Sequence, residues 1–260
     1  MGLPVTPPNL SSDLTGQVAL VTGASSGLGH RFAEVLAACG ARVAVAARRT
    51  DRLHDLAARI REAGGEAEPF ALDVSAVDDI APVVDAIEDR LGRVSILVNN
   101  AGVVDAQHAT RLTREKTDQV FDTNLRGPFA LSCEVARRLI AAGAPGRIVN
   151  IASMTAFDYW GGGAALYALT KGAVVRMTEV LAVEWSRFDI NVNAIAPGVV
   201  ASEMTDGMLA RMGPDALPPF PRGRMGAPED LDSTLVYLVS PASSFVTGTV
   251  IKADDGQNHR

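Results

Sequence analysis

The chain has 260 residues, of which 47% are hydrophobic and 21% are charged, and its formal net charge is −6. This is the composition of an ordinary globular protein, and the length is enough for one large α/β domain or two small ones. The negative charge argues against nucleic acid or an anionic membrane as the main partner.

Short apolar runs rich in β-branched residues alternate with helical patterns along the chain. Such runs are typical of strands that a parallel sheet buries on both faces. The predicted strands are 18–22, 42–47, 67–72, 94–98, 147–152, 190–195 and 249–252. The predicted helices are about 28–39, 51–63, 78–91, 114–122, 125–142, a helix through 167–171 to about 185, and 228–239.

The alternation predicts the fold class: a single Rossmann-type, doubly wound parallel sheet of about seven strands, with helices on both faces. We expect a flexible N-terminal tail over 1–13 and one domain over 14–260, since no linker composition interrupts the chain. Residues 202–226 are rich in Met, Gly and Pro, which predicts a mobile or irregular segment. Residues 254–260 are predicted to form a polar tail.

A glycine-rich turn follows the first strand. Gly23, Gly27 and Gly29 lie between that strand and a helical pattern. Glycines there permit a tight turn, close approach of backbone to a diphosphate, and close packing of helix on strand. The helix N-terminus then offers free N–H groups to the phosphates. In this context we favour a dinucleotide site over an ordinary βα turn.

The end of the second strand indicates which dinucleotide binds. An acidic residue there would accept hydrogen bonds from the adenosine ribose of NAD. This chain has Ala47 instead, followed by Arg48 and Arg49. Two guanidinium groups suit a 2′-phosphate, so the pattern predicts NADP, with NAD the less favoured alternative. Alternatively, the two arginines are simply solvated loop charges.

A third pattern places three polar side chains close together. Tyr167 and Lys171 are four residues apart on a predicted helix and therefore share one face. A free tyrosine has a pKa of about 10, and a neighbouring positive charge favours the phenolate. Ser153, at the end of the fifth strand, adds a hydroxyl. Alone, the pair is more often structural; together the trio suits proton transfer to and from an oxygen.

These motifs, with Asn-Ala-Gly at 100–102, together resemble the short-chain dehydrogenase/reductase family. The resemblance covers about 14–256 and is to the compact, single-domain branch, which includes 3-oxoacyl-acyl-carrier-protein reductases. It implies a catalytic set of Asn124, Ser153, Tyr167 and Lys171. It also implies that the cofactor is bound by Gly23, Ser25, Ser26, Gly27, Leu28, Arg48, Arg49, Asp73, Val74, Asn100, Ala101, Gly102, Tyr167, Lys171, Pro197, Gly198, Val200 and Ser202.

The family pattern also assigns roles. The resemblance implies that Lys171 holds the nicotinamide ribose, that Asn124 positions a water of the proton relay, and that Asp73 and Val74 meet the adenine. Three positions depart from the pattern. Ser202 replaces a common threonine, the interval from Ser153 to Tyr167 is one residue longer than expected, and Asp255-Gly256-Gln257 lacks a second glycine. We expect the extra residue to bulge out at 161–163.

The expected function is an NADP-dependent oxidoreductase that transfers a hydride between NADP(H) and a carbonyl or secondary alcohol, with Tyr167 as general acid and base. Three alternatives remain. An NAD-dependent alcohol or sugar dehydrogenase of the same family is one. A nucleotide-sugar epimerase or dehydratase shares Tyr-x-x-x-Lys but differs in glycine spacing and length. A non-catalytic NADP-binding sensor or scaffold would normally lack part of the catalytic set.

The substrate pocket is predicted to lie between residues 154–166 and 202–226. The large apolar residues of these segments suggest an apolar ketone or a 3-oxoacyl thioester, unless they pack in the core or at a subunit contact. They are Met154, Phe157, Tyr159, Trp160, Met204, Met208, Met212 and Phe220. His108 and Arg111 follow Asn-Ala-Gly and are candidates for the edge of the site.

Other classes of site find no support in the sequence. Cys39 and Cys133 are far apart, and the four histidines show no metal-ligand spacing, so we expect neither a disulfide nor a metal. There is no signal-peptide pattern and no membrane-spanning run, which predicts a cytoplasmic protein. The expected partner is a small-molecule substrate, without nucleic acid or membrane. The family resemblance implies a homotetramer.

Overall fold

The computed structural model describes residues 9–105, 107–159, 161, 163–213 and 220–258. Its seven strands form one parallel sheet in the order β3-β2-β1-β4-β5-β6-β7. This confirms the predicted fold class. The strands are β1 Val18–Thr22, β2 Arg42–Ala47, β3 Glu66–Ala71, β4 Val94–Asn99, β5 Gly146–Ile151, β6 Ile190–Pro197 and β7 Val250–Ala253.

Helices cover both faces of the sheet. They are α1 Gly27–Ala38, α2 Thr50–Glu62, α3 Ile80–Leu91, α4 Arg114–Phe121, α5 Gly127–Ala142, α6 Ala165–Trp185, α7 Glu203–Met212 and α8 Asp232–Val239. Apolar side chains of α1, α2 and α8 form the core on one face, and those of α3, α5 and α6 form it on the other. Strands buried on both sides explain the wholly apolar runs of the sequence.

The boundaries differ from the predictions by one or two residues at most ends, and three differences are larger. First, the helix predicted over 228–239 starts as a 3-10 turn, Pro228–Leu231, before α8. Second, a π-helical turn, Asp122–Arg126, joins α4 to α5, where we predicted two separate helices. Third, the segment predicted to be irregular contains α7. Ser202 caps this helix by accepting a hydrogen bond from the Thr205 N–H at 3.2 Å, and two acidic residues lie in its first turn.

The predicted polar tail is also packed in its described part. Asp254 and Asn258 are buried, and Asp254 accepts hydrogen bonds from the Asn258 N–H and amide at 3.2 and 3.1 Å. His259 and Arg260, and residues 1–8 of the predicted N-terminal tail, lie outside the described residues. None of the described helices is both long enough and apolar enough to span a bilayer.

The order of the strands indicates where on the sheet a ligand site is expected. β1 is paired with β2 on one side and with β4 on the other, so the order of strands reverses between β1 and β4. Ligands of doubly wound sheets bind at such a reversal, beyond the carboxyl ends of the strands. The glycine turn after β1 and the Asn-Ala-Gly motif after β4 both lie at this point.

Candidate active site

A cleft of about 320 Å³ opens at the carboxyl ends of the strands, which is within the usual size of ligand sites. Every residue predicted for catalysis or cofactor binding lines it except Asn124. The structure therefore brings together side chains from the turns after all strands from β1 to β6. The lining also includes Met204, predicted for the substrate wall, and residues that were not predicted, namely Ala47, Leu72, Val103, Thr123, Ile151, Ala152, Glu203 and Thr205.

The glycine turn is locked to the Asn-Ala-Gly motif. The Asn100 amide donates to the carbonyl of Thr22 at 2.9 Å and to that of Gly23 at 3.3 Å. A Cβ on Gly23 would lie 2.8 Å from this amide, and one on Gly29 would lie 2.5 Å from the Gly23 carbonyl oxygen. Gly23 and Gly27 also have positive φ values of 67° and 57°. Glycine is therefore required here by packing as well as by conformation.

The reaction end of the cleft contains Ser153, Tyr167 and Lys171. Lys171 is 4% exposed, donates to the Ile151 carbonyl at 2.6 Å, and has its Nζ 5.5 Å from the Tyr167 ring centroid. The Ser153 hydroxyl accepts hydrogen bonds from the N–H and the hydroxyl of Thr155, at 3.2 and 2.9 Å. Each group is thus held by the backbone or by a neighbouring turn.

Burial governs the protonation of this pair. Desolvation raises the pKa of the Tyr167 phenol, and a hydrogen bond with Ser153 acts in the opposite direction. Desolvation also lowers the pKa of Lys171 to about 8. The phenol is therefore protonated at neutral pH, and the ammonium beside it is poised to lose its proton within the range of mildly alkaline buffers.

Asn124 lies beside the cleft, within the π-helical turn. Its side-chain oxygen accepts from the Val103 N–H at 2.8 Å, and its amide donates to the Val103 carbonyl at 2.8 Å and to Thr170 at 3.2 Å. The side chain is buried, with 1% exposure. Asn124 thus fastens the segment after β4 to α6, the helix that carries Tyr167.

Asp105 is a site-supporting residue that the sequence analysis missed. It is 1% exposed, and its two carboxylate oxygens accept hydrogen bonds from the N–H groups of Leu166 and Tyr167, both at 3.2 Å. A carboxylate at the first turn of a helix also interacts favourably with the helix dipole. Asp105 follows Asn-Ala-Gly by three residues, which is the one sequence signal available, but its partners are some sixty residues away.

The loop before α6 has a backbone that favours glycine at several positions. Gly161 and Gly163 have φ values of 87° and 93°, and Ala164 is left-handed with a φ of 75°. The Tyr159 hydroxyl donates to the Gly163 carbonyl at 3.0 Å, which closes the loop. The predicted bulge at 161–163 includes Gly162, which lies outside the described residues, and stays a prediction.

The other end of the cleft is built from exposed charges. Arg48 lies 3.8 Å from the Asp73 carboxylate. Arg49 donates to the hydroxyl of Ser25 through Nε at 3.2 Å and Nη2 at 3.1 Å, and to that of Ser26 at 2.8 Å. Arg49 is thus bonded to the glycine turn and Arg48 is paired with Asp73, with no carboxylate at the end of β2, as the sequence indicated.

The apolar wall is only partly as expected. Met154 is 2% exposed and packs in the core, because its one-turn 3-10 helix lies directly above the sheet. Phe157, Tyr159 and Met204 are 44%, 45% and 41% exposed, and Met204 lines the cleft. Met208 and Phe220 are partly buried and do not line it.

Some of the predicted wall and edge residues contribute nothing that can be described at the cleft. Trp160 and the side chain of Met212 lie outside the described residues. His108 and Arg111 are exposed and do not line the cleft.

The turn after β6 is supported by the C-terminal segment. The Gln257 side-chain oxygen accepts from the Val199 N–H at 2.6 Å, and a Cβ on Gly198 would collide with it. Gly198 and Pro197 line the cleft. The last loop therefore shapes the cleft, which the sequence analysis did not predict.

These observations test whether a nicotinamide dinucleotide fits. The glycines leave room where any Cβ would collide, a helix N-terminus follows them, and cationic side chains stand at one end and a proton donor at the other. A diphosphate, an adenosine and a nicotinamide each have chemically suitable neighbours. The residues present therefore fit the cofactor.

Comparison with known proteins agrees with this geometry. A family model described as short chain dehydrogenase matches residues 17–212. The chain is 36% identical over 248 residues to a 2-dehydro-3-deoxy-D-gluconate 5-dehydrogenase of Dickeya dadantii, covering 94% of this chain and 96% of that one. It is 35% identical over 243 residues to a 3-oxoacyl-(acyl-carrier-protein) reductase of Thermotoga maritima, covering 94% and 98%.

The fold comparison gives the same result. A short-chain type dehydrogenase/reductase from Mycobacterium marinum matches with a TM-score of 0.91 at 37% identity, covering 96% of this chain and 98% of that chain. The family resemblance is thereby confirmed, and 3-oxoacyl reductases are among the relatives. From its family model, its relatives and its fold, the chain belongs to the short-chain dehydrogenase/reductase family of nicotinamide-dependent oxidoreductases.

Proposed function

We propose that the protein transfers a hydride between NADP(H) and a carbonyl or secondary alcohol, with Tyr167 as the general acid and base. One observation carries the proposal: Ser153, Tyr167 and Lys171 line the same cleft as the glycine turn. NADPH, when bound, supplies the hydride to the carbonyl carbon. In the reverse direction, the deprotonated Tyr167 would take one proton from the alcohol hydroxyl, and the oxidised cofactor would accept the hydride from the carbon.

The protein's own groups handle the proton. The raised pKa of Tyr167 keeps its phenol protonated, so that it can donate to the developing alkoxide during reduction. Ser153 offers a second hydrogen bond to the same oxygen, which stabilises its negative charge. The Lys171 ammonium favours the phenolate that remains.

Asn124 completes the proposed catalytic set indirectly. Its amide is already engaged by Val103 and Thr170, which supports a role in holding the backbone around the relay water.

The preference for NADP rests on the exposed end of the cleft. Ala47 ends β2 where an NAD site would have a carboxylate, and Arg48 and Arg49 can form charge-assisted hydrogen bonds with a 2′-phosphate. The proposed substrate is an apolar ketone or a 3-oxoacyl thioester. The exposed Met204, which lines the cleft, supports it, as does the similarity to a 3-oxoacyl reductase.

A second candidate is an NAD-dependent alcohol or sugar dehydrogenase of the same family. It is favoured by the similarity to a dehydrogenase of a deoxygluconate, a polar sugar acid. A panel of ketones, 3-oxoacyl thioesters and sugar acids, assayed with NADPH and NADH in parallel, separates the candidates. Turnover of any of them removes the non-catalytic sensor or scaffold.

Tyr167→Phe tests the catalytic assignment. We expect kcat to fall by about 10³-fold, because the proton donor is lost, while NADPH affinity stays within about threefold. Tyr237→Phe, which removes an exposed phenol hydroxyl on α8, is the matched control and should retain full activity. Wild-type kcat in the Tyr167 variant would refute the assignment.

We also propose that a second copy of the chain covers the outer faces of α5 and α6, as in a homotetramer. Phe129, Leu169 and Val183 are 48%, 57% and 80% exposed on these helices. Sedimentation velocity should show an oligomer that Val183→Glu shifts to smaller species, because burying a carboxylate in the contact is costly. Val77→Glu, at another exposed valine, should not shift it. A monomeric wild type would contradict the proposal.

A further inference from the structure

Glu203 is a negative charge placed inside the predominantly cationic end of the cleft. It is the first residue of α7 and lines the cleft beside Arg49. Its carboxylate accepts a hydrogen bond from Arg49 Nη1 at 2.9 Å and pairs through its other oxygen with Arg52, on α2. The two arginines lower the pKa of this carboxyl to about 2, so that it is ionised at every working pH.

All three nitrogens of the Arg49 guanidinium already donate hydrogen bonds in this arrangement. Nε and Nη2 are directed to Ser25 and Ser26 of the glycine turn, and Nη1 is directed to Glu203. A phosphate that binds the guanidinium as a fork needs two of these donors. It would therefore have to take Arg49 from a partner, and Glu203 is the partner that shares the negative charge of the phosphate.

We infer that Glu203 is a specificity-determining residue that competes with the cofactor's 2′-phosphate for Arg49. The inference rests on the proposed NADP site. NADPH must displace the carboxylate from Arg49 and tolerate its charge nearby, whereas NADH, which has no 2′-phosphate, need not. Glu203 therefore weakens NADPH binding but not NADH binding, which reduces the ratio of the two affinities.

The same exchange links the cofactor to the segment over the cleft. Glu203 ties the first turn of α7 to α2 through two arginines. Once a phosphate holds Arg49, Arg52 alone remains to hold Glu203. The phosphate would thereby remove one of the two ion pairs that link the first turn of α7 to this end of the cleft, and the pair with Arg52 would persist.

Calorimetric titration of the cofactor-free protein with NADPH and with NADH tests the inference without turnover. Because the pair is exposed and screened, Glu203→Gln should tighten NADPH binding by about three- to tenfold and leave NADH within about twofold. The gain should shrink in about 0.5 M salt, since screening weakens the repulsion that the variant relieves. Asp206→Asn removes a charge from the same helical turn and should change neither affinity by more than about twofold.

Two outcomes would overturn the inference: weaker NADPH binding in Glu203→Gln, or an equal gain for both cofactors. In the Arg49→Gln background the effect of Glu203→Gln should fall below about twofold, because the competition acts through that guanidinium. An undiminished effect there would also refute it.

Arg49→Gln alone tests the proposed cofactor instead. It should weaken NADPH by about tenfold and NADH little, since it removes a charge-assisted pair with the phosphate. If wild type binds NADH more tightly and Arg49→Gln changes nothing, the NADP assignment has failed. If Arg49→Gln behaves as expected and Glu203→Gln does not, only the competition has failed.

Discussion

The two ends of the cleft are held by different kinds of interaction. At the reaction end, Lys171 and Asn124 are 4% and 1% exposed and are bonded to backbone groups. At the end proposed for the adenosine of the cofactor, the side chains of Arg48 and Arg49 are 62% and 42% exposed and are held by side-chain partners. Buried backbone contacts fix atoms, whereas exposed ion pairs are weak and can exchange partners. Proton transfer requires atoms in fixed positions, whereas discrimination between two cofactors can use ion pairs that exchange partners.

The comparison predicts that substitutions at the reaction end affect kcat more than affinity. Outside the proposed catalytic set, Asp105 should give the largest effect of this kind. Asp105→Ala removes two acceptors from the first turn of α6. We expect kcat to fall by about 10- to 100-fold, because a small displacement of a catalytic group is costly. NADPH affinity should stay within about threefold. Steady-state kinetics and calorimetry on the purified variant measure both.

Asp105→Asn is the rescue control. It keeps one acceptor oxygen of similar reach and should recover most of the kcat. If the alanine variant lost thermal stability but kept its kcat per folded molecule, Asp105 would be only a structural cap and the comparison would weaken.

A substitution in the glycine turn should lower both the stability of the protein and its affinity for the cofactor. Gly29→Ala would place a Cβ 2.5 Å from the Gly23 carbonyl oxygen and against the Asn100 amide. Since backbone cannot move aside cheaply, we expect a loss of about 2–4 kcal/mol in the free energy of unfolding, together with weaker cofactor binding. Gly172→Ala, in α6 with no atom within 4 Å of the added Cβ, should be neutral or stabilising by up to about 1 kcal/mol. Equal effects of the two variants would show that packing does not determine the glycine at position 29.

Substitution of Lys171 should have a smaller effect, on the free energy of unfolding, and this effect should depend on pH. Burial lowers its pKa to about 8, so below that pH the folded protein carries a desolvated ammonium. Lys171→Met removes this penalty and the bond to Ile151, for a net gain of about 1–2 kcal/mol in unfolding free energy at pH 7. Between about pH 8 and 10.5 the unfolded chain binds more protons than the folded one, so the wild type recovers and the advantage disappears.

Denaturant unfolding at matched protein concentration, from pH 7 to about 10, checks this trend. An advantage that grew with pH would have the wrong sign. A variant that was less stable at pH 7 would mean that the bond from Lys171 to the Ile151 carbonyl outweighs desolvation.

The sequence predicted what repeats along the chain or depends on local chemistry. The apolar runs indicated the strands, because burial on both faces leaves no polar positions. The glycine turn, Arg48, Arg49 and the Tyr167 pair were all found from spacing. The sequence did not reveal α7, since the helix depends on its cap at Ser202 and its composition favours irregular structure.

Residues that act across the fold were missed for a different reason. Asp105, Glu203 and Gln257 are ordinary polar residues in the sequence, and each gains its role from a partner far along the chain. Met154 was misassigned because nothing in one sequence tells whether a methionine after a strand turns toward a cleft or toward the core.

The Asn100 side chain fills the space that Gly23 and Gly29 leave empty and bonds to the carbonyls beneath it. The glycine turn and Asn100, some seventy positions apart in the sequence, therefore pack as a single unit. A chimera that took the first β-α-β unit from one relative and the remainder from another would need the turn and its asparagine to come from the same parent, or at least from parents with the same geometry. In a recombination library built on this fold, we expect few folded clones with a crossover between positions 29 and 100 when the second parent has an incompatible residue at position 100.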